Sequence, residues 1–333
     1  MEYRKLGNSG LKVSVIALGA MNFGENKSKD NAWIGPGLNA EESEKIVKVA
    51  YENGVNFIDT ADLYQSGVSE EYVGRGVRGF RDEVVIATKV NAPTGPGVNS
   101  RGLSAFHIKR ACDYSLKRLD TDRIDLYQLH TQSFEVPHEE TLRALDDLVR
   151  EGKVIYVGCS NYDAWMITEA LGIQKELGSR FISAQPLYNL LDRKVERDIL
   201  PVCERHGLGI LPWSPLAAGL LTGKYEKGKP PASGRWSVHP YDKRFADIPD
   251  SHWNVVDILR ELAGKHECEP AQIACAWLLS RKAVSSVLGG ANSVQQMESY
   301  IKTAEIKLEK ADVRRLDDAL ETPAGPWPPH LAV

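Results

Sequence analysis

The chain has 333 residues, with 41 Lys plus Arg against 45 Asp plus Glu and a formal net charge of −4, which lacks the basic footprint of a nucleic-acid or acidic-membrane binder. Hydrophobic content of 42% and charged content of 26% exclude wholesale disorder, and no apolar run approaches the roughly 18 residues of a membrane span. A chain this long buries a large core without staples, and Cys112, Cys159, Cys203, Cys268 and Cys275 form no CxxC, so reduced thiols and a cytoplasmic location are expected.

At the N-terminus, Tyr3–Leu6 and Leu11–Ser14 flank Gly7-Asn8-Ser9-Gly10, a hairpin signal, and the hairpin is placed to plug one end of a barrel. The run Val13–Ala20 ends in small residues like a signal cleavage site, but it is short and Gly7-Asn8-Ser9-Gly10 stands where a compact basic segment should be, so it reads as a first strand. Eight strand-like runs follow in order: Val15–Gly19, Asn56–Thr60, Val84–Val90, Ile124–His130, Val154–Ser160, Ile182–Tyr188, Gly209–Pro215 and Ser285–Gly290. Helix-period segments alternate with them, including Ala40–Asn53, Ser104–Leu119, His138–Glu151, Tyr162–Leu177 and Arg193–His206. Near-continuous apolar runs such as Val84-Val85-Ile86-Ala87-Thr88 suit strands covered on both faces. The fold class predicted is α/β, a (β/α)8 TIM barrel with an N-terminal β-hairpin and two extra helices, near Ser251–His266 and Glu309–Glu321. Residues 1–333 are expected to form one domain, with the four-proline tail Thr322–Val333 draped over the surface.

Three long loops, Glu25–Asn39, Asn91–Gly102 and Lys224–Asp250, follow strands and so lie at the barrel face where sites of this fold sit. Gly74-Arg75-Gly76-Val77-Arg78-Gly79 matches G-x-G-x-x-G, but a dinucleotide fingerprint runs from strand to helix. Here the helix, Ser69–Val77 with Ser69 as N-cap, precedes the strand, and the motif is a decoy.

Polar groups close several strands. Lys89 ends the third, where an ammonium is costly unless paired, and Asp59 ends the neighbouring second. His130 ends the fourth, and Tyr64 lies in the loop five residues past Asp59. A phenol is a poor acid at neutral pH, and a nearby Lys cation favours phenolate and eases proton donation. Asp59 would hold Lys89 charged, and His130 would orient a carbonyl or share the proton. His107, His130 and His138 have no HxH or HExxH spacing, so no metal is expected.

Phe57-Ile58-Asp59-Thr60-Ala61-Asp62-Leu63-Tyr64, then Ile86-Ala87-Thr88-Lys89, then Asp125-Leu126-Tyr127-Gln128-Leu129-His130 resembles the aldo-keto reductase superfamily, and the likeness runs from Arg4 to about Ala319. The resemblance implies a barrel that binds NADP(H) without a Rossmann fold, with NAD(H) as the alternative, and passes hydride to a small-molecule aldehyde or ketone. It places the catalytic Asp, Tyr, Lys and His on Asp59, Tyr64, Lys89 and His130. It also implies that Ser160, Asn161 and Gln185 hold the nicotinamide amide, that Met21 touches the same end, and that Trp213 packs on the ring. The segment Ser214, Pro215, Leu216, Ala217, Gly219 to Lys224 would wrap the pyrophosphate. Gly289, Ala291, Asn292, Gln295 and Glu298, around the start of a helix Val294–Lys302, would take the adenosine end.

The sequence departs from the family at Ala291 and Asn292, where many relatives carry a basic residue, and at Ser299, where an Asn is usual. In this it is most like the branch that contains potassium-channel beta subunits, so a cofactor-sensing regulatory subunit is the rival reading. Those subunits carry Asn where this chain has His130, which favours an enzyme. A Schiff-base lyase using Lys89 is disfavoured because Asp59 would keep the amine protonated. Trp33, Trp236 and Tyr241, in the long loops, would line an aromatic substrate pocket or anchor those loops. Nothing signals an oligomeric state.

Overall fold

The computed structural model describes residues 1–25, 36–238 and 241–320. An antiparallel hairpin, β1 (Tyr3–Lys5) and β2 (Lys12–Ser14), opens the chain. Leu6 and Val13 are fully buried and join Ala17, Phe57, Val85, Ala87, Leu126, Leu211 and Leu288 in one apolar cluster, so the hairpin closes the end of the barrel opposite the site. Gly7 makes that approach possible: it sits at φ +58°, and a Cβ there would fall 2.5 Å from the carbonyl oxygens of Gly207 and Ile182.

The barrel strands are β3 (Ile16–Gly19), β4 (Phe57–Asp59), β5 (Val85–Val90), β6 (Ile124–Leu129), β7 (Val154–Ser160), β8 (Phe181–Gln185), β9 (Gly209–Ile210) and β10 (Val287–Gly290). All pair in parallel in the order β10-β3-β4-β5-β6-β7-β8-β9. The ring closes through a parallel bridge between Ile210 and Val284 and through the Leu288 N–H, which donates to the Pro212 carbonyl at 3.3 Å. All eight expected strands are present. Regular pairing stops early in two of them, because Pro186, Pro212 and Pro215 have no N–H for a ladder. The chain nevertheless continues alongside its neighbour, with the Trp213 N–H donating to the Pro186 carbonyl at 3.0 Å.

Outside the barrel run α1 (Ala40–Glu52), α2 (Val68–Gly76), α3 (Ala105–Leu119), α4 (His138–Arg150), α5 (Ala164–Ile173), α6 (Ile199–His206), α7 (Asp250–Lys265), α8 (Pro270–Leu279), α9 (Val294–Lys302) and α10 (Lys310–Asp317). The two extra helices are α7 and α10; the tail 322–333 lies outside the described residues. Among the described residues no helix is long and apolar enough to cross a membrane.

The expected cap at Ser69 is corrected. Gly67, at φ +93°, precedes α2, and the buried Ser69 hydroxyl instead bonds Thr60 Oγ1 at 2.8 Å and the Ala20 carbonyl at 2.7 Å. Two of the three decoy glycines serve packing. A side chain at Gly74 would collide with the Leu119 backbone of α3, and one at Gly76 would come within 2.9 Å of Val47 on α1.

Candidate active site

Side chains alternate along a strand, and that alternation builds the site. In β5, Val85 and Ala87 point into the barrel, so Lys89 does too, while Ile86 and Thr88 face the helices. The same parity sends Phe57 and Asp59 of β4, and Leu126 and Gln128 of β6, inward. Apolar residues fill the lower layer, and the last inward residue of each of these strands is polar.

Lys89 is fully buried. Its Nζ donates to Asp59 Oδ1 at 2.5 Å, to the Thr60 carbonyl at 2.8 Å and to Tyr64 Oη at 3.2 Å. Asp59 Oδ2 accepts from Gln185 Nε2 at 2.8 Å and from Gln128 Nε2 at 3.1 Å, so two amides and one ammonium fix the carboxylate. Burial pulls the Lys89 pKa down, but Asp59 and the Tyr64 oxygen outweigh it and hold the ammonium above the usual lysine range. His130 stands edge-on to Tyr64, ring centroids 5.8 Å apart at 83°. The four residues expected to act together are therefore contiguous.

One electrostatic expectation is revised. Lys89 does pull the Tyr64 phenol down, but burial is the larger effect and, with Asp59, leaves its pKa above the usual value. Tyr64 therefore carries its proton at neutral pH, which is the form a general acid needs.

Burial and the Lys89 cation together push the His130 imidazole down to about 3. Its folded pKa is depressed below the unfolded value near 6.5, so the neutral ring contributes stability above that value and loses it as pH falls from about 6.5 toward 3. We predict that an NMR titration will find the His130 ring unprotonated at pH 5. A midpoint near 6.5 would contradict the neutral assignment.

The other expected residues occupy the same mouth. Ser160 Oγ donates to the Gln185 carbonyl at 2.8 Å. Asn161, at φ +55°, donates to the His130 carbonyl at 2.9 Å, and its Oδ1 accepts from Trp213 Nε1 at 2.9 Å. That bond tethers the part-exposed Trp213 ring to Asn161. Gln185 spends its amide nitrogen on Asp59 and Gln128. Met21 follows β3 and is half-buried, with Asn22 beside it donating to Asn292 Oδ1 at 2.7 Å.

From Ser214 the backbone makes several left-handed steps, at Ser214, Ala217, Ala218 and Gly219. Pro215 is buried and Leu216 half-buried. The Lys224 ammonium lies 3.9 Å from where a Gly219 Cβ would sit. A cavity of about 250 Å³, lined in part by Lys224, Tyr225 and Lys229, adjoins this turn. Ala291 is buried, whereas Asn292, Gln295 and Glu298 are exposed around the start of α9. Gly289 has a packing role of its own: a Cβ there would fall 2.6 Å from the Tyr300 ring.

Trp236 and Tyr241 are almost fully buried, with ring centroids 5.1 Å apart, and Trp236 lies 6.0 Å from Phe245. Their contacts are those of loop anchors, not of an exposed pocket wall. Trp33 lies outside the described residues.

Sequence reasoning missed Gln128, whose amide looks like any core polar group until β4 and β6 are known to face the same interior. It also missed Phe134 and Trp165. These are 74% and 56% exposed, with ring centroids 6.4 Å apart, on the segments that follow His130 and Asn161. Gln132 joins those segments by bonds to Asp163 at 3.1 and 3.2 Å. Among the described residues no cluster of three or more His, Cys, Asp or Glu is arranged to hold a metal.

Residues 15–321 match the aldo/keto reductase family. The chain is 38% identical to a probable voltage-gated potassium channel subunit beta of Arabidopsis thaliana, over 92% of each. It is 36% identical to the uncharacterized oxidoreductase YrpG of Bacillus subtilis (strain 168) over the full length of both. It is 35% identical to the versiconal hemiacetal acetate reductase of Aspergillus parasiticus over 96% of each.

Proposed function

The chain belongs to the aldo/keto reductase family, and from that premise we propose that it reduces an aldehyde or ketone to the alcohol, or runs the reverse oxidation, with NADP(H) as partner and Tyr64 as acid/base. The observation that carries this reading is the buried relay in which Lys89 Nζ touches both Asp59, at 2.5 Å, and Tyr64 Oη, at 3.2 Å.

The residues present fit a dinucleotide. With their donors spent within the protein, Ser160 Oγ and Gln185 Oε1 keep acceptor capacity for the N–H groups of a carboxamide, and the Trp213 indole is tethered by its N–H with its ring part-exposed. The left-handed turn at 217–219 with Lys224 above it suits a pyrophosphate. When bound, the reduced nicotinamide supplies the hydride. The protein supplies the rest: the Tyr64 hydroxyl gives its proton to the oxygen that becomes the alcohol, and Lys89 stabilises the phenolate left behind. Neutral His130 directs the carbonyl oxygen toward Tyr64. Asp59 keeps Lys89 charged and fixed, and oxidation runs the same proton path backwards. The exposed Phe134–Trp165 pair at the rim suits an aromatic or alicyclic carbonyl.

NADP(H) is favoured over NAD(H), with the start of α9 and the side chains of Asn292 and Gln295 in place of a basic residue at the adenosine phosphate. The 38% identity to a channel subunit supports a cofactor-sensing role as a second reading. Turnover of a panel of aldehydes, ketones and sugar alcohols with each cofactor separates them: measurable NADPH-dependent reduction supports the enzyme, and tight NADPH binding without turnover supports the sensor. We also predict that NADPH quenches tryptophan fluorescence and that Trp213→Phe removes most of that quenching, although the chain has seven tryptophans. Undiminished quenching in the variant would assign the signal elsewhere.

A further inference from the structure

Behind the barrel wall, back to back with the catalytic group, lies a second buried polar cluster. Thr88, the outward neighbour of Lys89, donates to Glu70 Oε1 of α2 at 2.5 Å. Glu70 is fully buried, and its other oxygen takes Arg118 Nε of α3 at 2.7 Å. Arg118 in turn lies directly under the turn that follows Tyr64, where a Cβ on Gly67 would fall 2.6 Å from its Cδ and Nε.

Asp62, two residues before Tyr64, is 5% exposed and stands next to this cluster. Its backbone N–H donates to the Lys89 carbonyl at 3.3 Å, and its Oδ2 accepts the Asn91 N–H at 3.3 Å. Its Oδ1, fully buried, has no partner. The cluster thus holds two carboxylates and one guanidinium, and Glu70 has taken the guanidinium.

We propose that Asp62 is a positioning residue for Tyr64: its buried, protonated carboxyl lets the Tyr64 loop pack on the end of β5 and the start of the Asn91–Gly102 loop, and its ionisation, with one oxygen unpartnered and Glu70 beside it, loosens that packing. The proposal rests on the reading of Tyr64 as proton donor. The charged and titratable groups facing Asp62 are Glu70 from α2, Arg118 from α3, Tyr127 from β6 and Tyr64 from its own loop. Burial first, then the Glu70 charge, push the Asp62 carboxyl up to about 7, against the Asn91 and Ala92 N–H groups and Arg118. The switch therefore operates near neutral pH. The raised folded pKa fixes the sign for stability: the contribution is full below the unfolded value near 3.9 and is lost as pH rises to about 7.

The test compares wild type, Asp62→Asn and Glu70→Gln in NADPH-dependent reduction of a simple aromatic aldehyde across pH, together with Tm across pH. In wild type, kcat should fall through an inflection near neutrality as pH rises. Asp62→Asn, which cannot ionise, should leave KM little changed and abolish the inflection, so that the fall in kcat above neutrality disappears. Glu70→Gln should move the inflection to lower pH, because it removes the neighbouring charge and frees Arg118. The Tm of wild type relative to Asp62→Asn should fall between pH 5 and 7. An inflection retained in Asp62→Asn, or unmoved in Glu70→Gln, overturns the proposal. If no variant reduces any aldehyde, the reductase reading fails first. The Tm comparison still reports on the cluster, and matching Tm slopes in wild type and Asp62→Asn overturn the charge switch as well.

Discussion

Tyr64→Phe is expected to lower kcat for aldehyde reduction by about 10²–10⁴-fold, the range that a positioned general acid contributes. The substitution deletes one oxygen and keeps the ring, so the edge-on contact with His130 survives. Cofactor affinity should stay within about twofold of wild type, since Tyr64 is absent from the groups proposed to hold the dinucleotide. Burial leaves the phenol protonated through the neutral range, so Tyr64 itself adds no inflection to the reduction profile there. Lys89 keeps its bonds to Asp59 and the Thr60 carbonyl in the variant, so folding should survive and the loss should fall on chemistry. Single-turnover measurement with saturating NADPH isolates that step. A variant that reduces the aldehyde at the wild-type rate would remove Tyr64 as the acid.

The elements of this fold were legible because the strands are short apolar runs, and in several of them, β4, β5, β7 and β8 among them, a polar residue at or near the end is informative. Asp59 and Lys89 could be paired from the sequence because adjacent parallel strands bring their ends together. Gln128 was harder to see. Its amide reaches Asp59 across the interior at 3.1 Å, and nothing near Gln128 in the sequence marks an inward-facing amide. The cluster behind Tyr64 was illegible for a related reason. Glu70 and Arg118 are 48 positions apart, on helices whose facing sides are set by Gly74 packing against Leu119. Aromatic content misled in the other direction. Trp236 and Tyr241 have the composition of a pocket wall, but a long loop needs its own small core, and they form it with Phe245. The exposed pair Phe134 and Trp165 was not marked either, because Phe134 lies in the loop beyond β6 and Trp165 is an outward residue in the first turn of α5, and nothing in the sequence joins the two.

Asp59→Asn should destabilise the fold by about 3–5 kcal/mol, the usual cost of removing one partner of a buried ion pair. The ammonium would remain fully buried, keeping the Thr60 carbonyl and Tyr64 Oη but losing its counter-charge. Lys89→Met removes the cation instead and should cost less, because Asp59 keeps the Gln128 and Gln185 amides as donors. Combining the two substitutions removes both charges. The unbranched thioether side chain introduced by Lys89→Met then fills most of the lysine volume, and a buried pair replaced by uncharged groups is often close to neutral. The double variant should therefore be more stable than Asp59→Asn alone, while its carbonyl reduction stays as low as that of Lys89→Met. Urea unfolding midpoints of the four proteins, read beside kcat, separate the two contributions of the pair. If stability and turnover recovered together, the ion pair would be only a structural element and the relay to Tyr64 would have to be abandoned. If the double variant were no more stable than Asp59→Asn, the cost would lie in lost packing and hydrogen bonds, and the stranded charge would not be its cause.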